Sequence, residues 1–184
     1  MTIDSKQASE ALSEINEIAR RVRQSTIYNL ASLMLIMWGG LVFAGYLVSY
    51  LSPRQAGYAW LTVYVAGIAG TAVISGLNKA RSGIRTFDVR MFAAFLLFVG
   101  FGIFTSVGLG HFTPRQLGAF WPIYFMLFYT IAGLWVGHAF VAIGLGIIAL
   151  TLIGYFWSGG AFELWMAGVN GGGLVLGGLW MRRN

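Results

Sequence analysis

Residues 51–60 read LSPRQAGYAW, and residues 112–121, sixty-one positions later, read FTPRQLGAFW. Both carry Ser or Thr, then Pro, Arg, Gln, a variable residue, Gly, two variable residues and Trp. Ser52 and Thr113 each precede a Pro and stand three residues before Gln55 and Gln116. That order is a capping box with Pro at the first helical position: the hydroxyl serves a backbone N–H of the first turn, and the Gln side chain reaches back to the cap. Each copy is expected to open a helix, with Trp60 or Trp121 anchoring it at a membrane interface.

The likeness continues upstream, where Leu35, Gly39 and Phe43 match Leu96, Gly100 and Phe104 at the same offset. This pattern points to duplication of a two-helix hairpin. Two crossings separate the copies, so they run parallel, unlike the inverted repeats of many transporters. Convergence is the competing reading, since caps and interface Trp are generic; the shared Arg, Gln and Gly weigh against it.

The composition requires a membrane. The 184 residues are 58% hydrophobic and only 10% charged, too few charges for an ordinary wetted surface. Gly is abundant at 26 residues and Pro scarce at 3, which suits close-packed helices better than disorder. There is no Cys, so disulfides, iron–sulfur clusters and thiol catalysis are excluded. The hydrophilic start and the long apolar run behind it lead us to expect a retained anchor rather than a cleaved signal.

The sequence predicts an all-α, polytopic integral membrane protein with six transmembrane helices. Their spans are about 27–51, 57–77, 90–110, 117–136, 139–157 and 161–181. No formal charge occurs from Leu117 to Phe162, too long a stretch for one crossing, and a turn near Val136–Gly137–His138 divides it. With six crossings, Lys6, Arg20, Arg21, Arg23, Lys79, Arg81, Arg85, Arg90, Arg182 and Arg183 share one side. Only Arg54 and Arg115 face the other. Ten of the 12 basic residues against two place both termini in the cytoplasm by the positive-inside rule. We expect a multi-pass cell-membrane protein of the bacterial inner-membrane type. The net charge of +6 does not imply nucleic acid, because the basic residues flank apolar spans instead of lining one face.

Ahead of the first span, residues 8–25 read ASEALSEINEIARRVRQS. Ala8, Ala11, Leu12, Ile15, Ile18, Ala19 and Val22 form an apolar stripe at helical spacing. Residues 1–26 are therefore expected to form a cytoplasmic amphipathic helix, continuous with the first span or bent against it. It could pack on the protein's own loops, lie on the membrane, pair with itself, or dock a partner.

Chemistry is sparse. His111 and His138 fall at opposite ends of the spans, so they cannot share a metal. Glu10, Glu14 and Glu17 sit with Asp4 in the N-terminal segment; Asp88 and Glu163 stand alone, and no carboxylate pair shares a depth. GVNGGGLVLGG from Gly168 lacks both the P-loop Lys and the dinucleotide spacing; it reads as close helix packing through Gly168 with Gly172 and Gly173 with Gly177. Asn170, placed near the bilayer midplane, is hydrogen-bonding glue or part of a solute path. Arg54 and Arg115 are lipid anchors, or a pseudo-symmetric contact for an outer-face anion or partner. Arg20, Arg21, Arg23, Lys79, Arg81, Arg85 and Arg90 are the candidate cytoplasmic contacts for a protein partner or anionic lipid. We expect no cofactor, no metal and no catalysis. The function expected is that of an accessory or regulatory membrane protein, with a small oligomeric transporter or channel as the alternative.

Overall fold

The computed structural model describes residues 5–82 and 89–183; every element among them is helical, and there is no strand. The first helix, α1, runs unbroken from Ser5 to Leu51, 47 residues. At 1.5 Å per residue it is about 70 Å long, more than twice the thickness of a bilayer core. Neither Gly nor Pro interrupts residues 3–37, and the helix passes position 26 without a bend in its assignment. Residues 5–26 thus form an arm continuous with the first span.

After α1 come a 3₁₀ turn at Pro53–Gln55, α2 (Ala56–Ser82), α3 (Val89–Ile103, extended by a π turn over Phe104–Leu109), α4 (Pro114–Val136) and α5 (His138–Trp157). A second 3₁₀ turn, Gly159–Ala161, leads into α6 (Phe162–Met166), a π turn over Ala167–Gly172, and α7 (Gly173–Arg183). Among the described residues, five segments are long and apolar enough to cross a membrane, as a multi-pass membrane protein requires: Ile27–Leu51, Pro53–Asn78, Phe92–Leu109, Pro114–Val136 and His138–Trp157. The expected break near Gly137 is present, and that glycine is the single non-helical residue between α4 and α5. The last segment is helical from Phe162 to Arg183, but Glu163, Asn170 and its glycines dilute its apolarity, and it is not among the five.

The packing is centred on α1. One side of α1 meets the α6–α7 segment, another meets α2, and α5 joins the C-terminal segment to α4. Glycines set the close approaches. A Cβ on Gly39 would stand 2.8 Å from the Gly171 carbonyl and from Val175, and one on Gly178 would stand 2.9 Å from the Ser32 carbonyl. Ser32 Oγ, fully buried, donates to that Gly178 carbonyl at 2.7 Å. The expected Gly173–Gly177 pair does pack, against Ile147 and Ile143 of α5. Gly168 and Gly172 do not, because the π turn rotates them into open space; Gly171 and Gly178 take their place against α1. Leu35, Met126, Phe140, Ile143, Ile147 and Leu174 form one core, while Tyr46, Ala119, Phe162 and Met166 form a second toward the other end. α3 leans on α4 through rings: Phe98 stacks on Tyr124 at 4.1 Å, and the Tyr124 hydroxyl donates to the Phe98 carbonyl.

Candidate functional site

Two regions hold the residues singled out in the sequence: the end of the bundle opposite the termini, and the arm with the basic residues around it. At the first, the two motif copies are built differently. Thr113 has extended backbone, its Oγ1 accepts from Gln116 N, and Gln116 Oε1 accepts from Thr113 N at 2.8 Å, the full capping box. Ser52 makes no side-chain cap bond. It directly follows Leu51, so its N–H is spent closing α1 on Val48 O at 2.8 Å, and its carbonyl accepts from Gln55 N in a 3₁₀ turn. The expectation of two capping boxes is corrected to one. Both motif tryptophans reach a glycine of the preceding helix, though not at matching positions: Trp60 lies by Gly45 of α1, and Trp121 by Gly102 of α3, where the repeat would match Gly45 to Ser106.

The two arginines also part company. Arg115 turns inward, its two terminal nitrogens donating to Gly159 O and Tyr155 O at 2.7 Å each, with the guanidinium over the Tyr155 and Phe162 rings. Those carbonyls close the C-terminal end of α5, where a cation is favoured by the exposed carbonyls and the helix dipole. Arg115 thus starts one helix and caps the end of another. Glu163, half-buried, interacts electrostatically with the same guanidinium. Arg54 lies exposed in its 3₁₀ turn.

Asn170 is buried, 6% exposed, on the π turn of the C-terminal segment. Its side chain hydrogen-bonds the Tyr46 hydroxyl, which donates to Gly118 O at 2.8 Å. Tyr46 stands five residues before the end of α1, about 7 Å along the helix axis. Asn170 therefore sits toward the Arg54 and Arg115 end and not at the centre. Why a tyrosine meets Gly118 follows from Pro122 in α4. Proline has no N–H, so the carbonyl four residues back loses its helical partner, and the phenol replaces it. Sequence reading passed over Tyr46. The signal was there: a proline inside an apolar helix frees a carbonyl, and some buried hydroxyl must serve it. Trp60 packs edge-on against Tyr46 at 4.8 Å and donates to Ser49 Oγ at 3.1 Å.

His111 precedes α4 with φ of 45°, and His138 opens α5. α4, 23 residues or about 35 Å, lies between them. Among the described residues no group of three His, Asp or Glu is placed to hold a metal.

At the other end the arm stands clear of the bundle. Leu12, Ser13, Glu14 and Ile15 are four consecutive residues, 100° apart around the helix, and all four are exposed. Every face of the arm is open at that level. Arg90, Arg182 and Arg183 are exposed on the same end of the bundle. Arg20, Arg21, Arg23, Lys79 and Arg81 lie on α1 and α2, but their side chains fall outside the described residues, as does Arg85 entirely. No family, curated protein or solved structure matches the chain.

Proposed function

We propose that the chain is a non-catalytic accessory or regulatory protein of the cell membrane, which presents α1 beyond the bilayer as a rigid arm. The arm and the basic residues at its root, Arg20, Arg21, Arg23, Lys79, Arg81, Arg85 and Arg90, contact a cytoplasmic protein partner or the anionic lipid around it. In this reading six segments cross the membrane, the sixth being Phe162–Arg183, and both termini are cytoplasmic. The arrangement descends from a parallel duplication of one hairpin, which the motif repeated at an offset of sixty-one residues supports.

The observation that carries the proposal is the exposure of four successive arm residues on a helix continuous with a membrane span. An isolated helix in water has a costly first turn to form before each further residue adds stability. Continuation from an anchored span removes the nucleation step and keeps the arm extended. A side-chain photocrosslinker at Ser13 or Glu14, activated in native membranes, is expected to capture one recurrent cytoplasmic protein or lipid headgroups. Capture of neither at both positions, with the protein at its native level, would overturn the proposal.

The alternative is a small oligomeric transporter or channel, with Asn170 on the solute path. It is the weaker reading, because the Asn170 side chain is already engaged by Tyr46. Solute flux through the purified protein in vesicles, lost on Asn170→Leu without loss of stability, would reverse the order of the two.

A further inference from the structure

A hydroxyl inside an apolar helix is ordinarily served by its own backbone. Ser49, Ser106, Thr130 and Ser158 each donate to the carbonyl four residues before them. Among the described residues, two buried hydroxyls have no partner: Thr105 on the π turn of α3, and Thr151 on α5. Thr151 is the more enclosed, at 0% exposed. A bilayer core supplies no solvent to such a group, so leaving it unserved costs stability.

The contacts on either side of Thr151 fix what stands around it. Gly144 of α5 faces Met126 and Thr130 of α4, and further along the same pair Arg115 meets the carbonyls of Tyr155 and Gly159. The two helices are antiparallel, so Thr151, seven residues past Gly144, stands level with Ala119 and Ile123, seven before Met126 and Thr130. On the C-terminal segment, Gly173 meets Ile147 and Trp165 meets Gly154. Thr151 lies between those two contacts, level with Gly168, Val169 and Asn170. Tyr46 of α1 reaches the same level, packed with Ala119, Met166 and Ala167. Its hydroxyl donates to Gly118 O and bonds the Asn170 side chain. Thr151 and Asn170 are thus two buried polar residues at one depth on packed elements, and they are not bonded to each other.

We infer that one water molecule is bound between the Thr151 hydroxyl and the Asn170 carboxamide, completing a hydrogen-bonded network that joins α1, α4, α5 and the C-terminal segment. A carboxamide has two N–H donors and an acceptor oxygen, more than a single phenol serves, and the threonine hydroxyl both donates and accepts. Water matches either need and spans two groups too far apart for a direct bond. The groups at this level are a hydroxyl, a carboxamide, a phenol and a backbone carbonyl, all neutral, which favours a neutral ligand over a cation. Their neighbours are small, Gly118 and Ala119 on α4 and Ala167 on the C-terminal segment, in keeping with a ligand of one heavy atom. The site is independent of whether the arm has a partner.

Thr151→Val keeps the shape of the side chain and removes the hydroxyl. Were the hydroxyl unserved, this change would relieve a buried unpaired group and raise stability; with a water bound, it breaks the bridge and lowers stability. The thermal unfolding midpoint of the purified protein in detergent is expected to fall by about 2–4 °C. In an Asn170→Leu background, where the water has already lost its second partner, that fall should shrink by about half or more. A raised or unchanged midpoint in Thr151→Val, or full additivity with Asn170→Leu, would overturn the inference. So would a higher midpoint in sodium than in choline at equal ionic strength, abolished by Thr151→Val, since the occupant would then be a cation. Should Asn170→Leu fail to fold, a high-resolution crystal structure of the full chain decides. Water density within hydrogen-bond distance of both Thr151 Oγ1 and the Asn170 amide is the expected result; a dry gap, or a direct bond between the two side chains, contradicts it.

Discussion

At Arg115 one guanidinium serves the carbonyls of Tyr155 and Gly159 and covers two aromatic rings, while Arg54, at the matching place in the repeated motif, is exposed. The motif spelled the same letters twice, yet among the described residues it is Arg115 that hydrogen-bonds the end of a neighbouring helix, while Arg54 is exposed. Hydrogen bonds from a charged group contribute about 1.5–3 kcal/mol where they are well made. Arg115 is only partly buried, so the lower part of that range applies. Arg115→Ala should therefore lower unfolding stability in detergent by ~1–2 kcal/mol, and Arg115→Lys by nearly as much, since an ammonium cannot span both carbonyls as a planar fork does. Arg54→Ala should change it by less than ~0.5 kcal/mol. Equal losses at the two sites would mean that Arg54 has a partner of its own. The caps give a parallel test. Thr113→Ala should cost ~0.5–2 kcal/mol, whereas Ser52→Ala should be near neutral, because Ser52 makes no side-chain cap bond. Chemical denaturation of both variants decides it.

Among the elements, those with long uniform patterns were legible in the sequence. The five long apolar helices and the break at Gly137 follow from apolar length and a lone glycine between helices, whereas the lack of Gly and Pro over residues 3–37 allowed an unbroken arm without deciding between it and a bend. The π turn at Ala167–Gly172 was not legible, because a one-residue widening of the helix leaves no periodic mark and depends on what packs against it. It redirects the Gly-rich segment so that Gly171 and Gly178, seven residues apart, meet α1. The Tyr46 junction was not legible as a polar cluster either, because its members lie on three separate elements. Pro122 was the readable clue to it. A double-mutant cycle tests this account. Tyr46→Phe should cost ~0.5–1.5 kcal/mol by stranding the Gly118 carbonyl and Asn170. In a Pro122→Ala background, where position 122 regains its N–H, the cost of Tyr46→Phe should fall measurably. Strict additivity of the two changes would show that the phenol does not replace the missing backbone donor.

For the whole molecule, the proposed topology is an even number of crossings, with the arm, Gly137 and the C-terminal helix end on the cytoplasmic side and both motif arginines on the other. The C-terminal segment is the critical element. It is the least apolar of the long helices, yet it lies along α1, buried through Met166, Ala167, Leu174 and Met181. Its direction decides whether Arg182 and Arg183 join the other cytoplasmic cations. Labelling of single-Cys variants in intact cells with a membrane-impermeant maleimide measures this directly. Cysteine at Arg54, His111 and Gly159 should label from outside, while cysteine at Ser13, His138 and Arg183 should label only after the membrane is opened. Labelling of Arg183→Cys from outside would remove the sixth crossing. Labelling of Ser13→Cys or His138→Cys from outside, with Arg54→Cys protected, would contradict the topology itself.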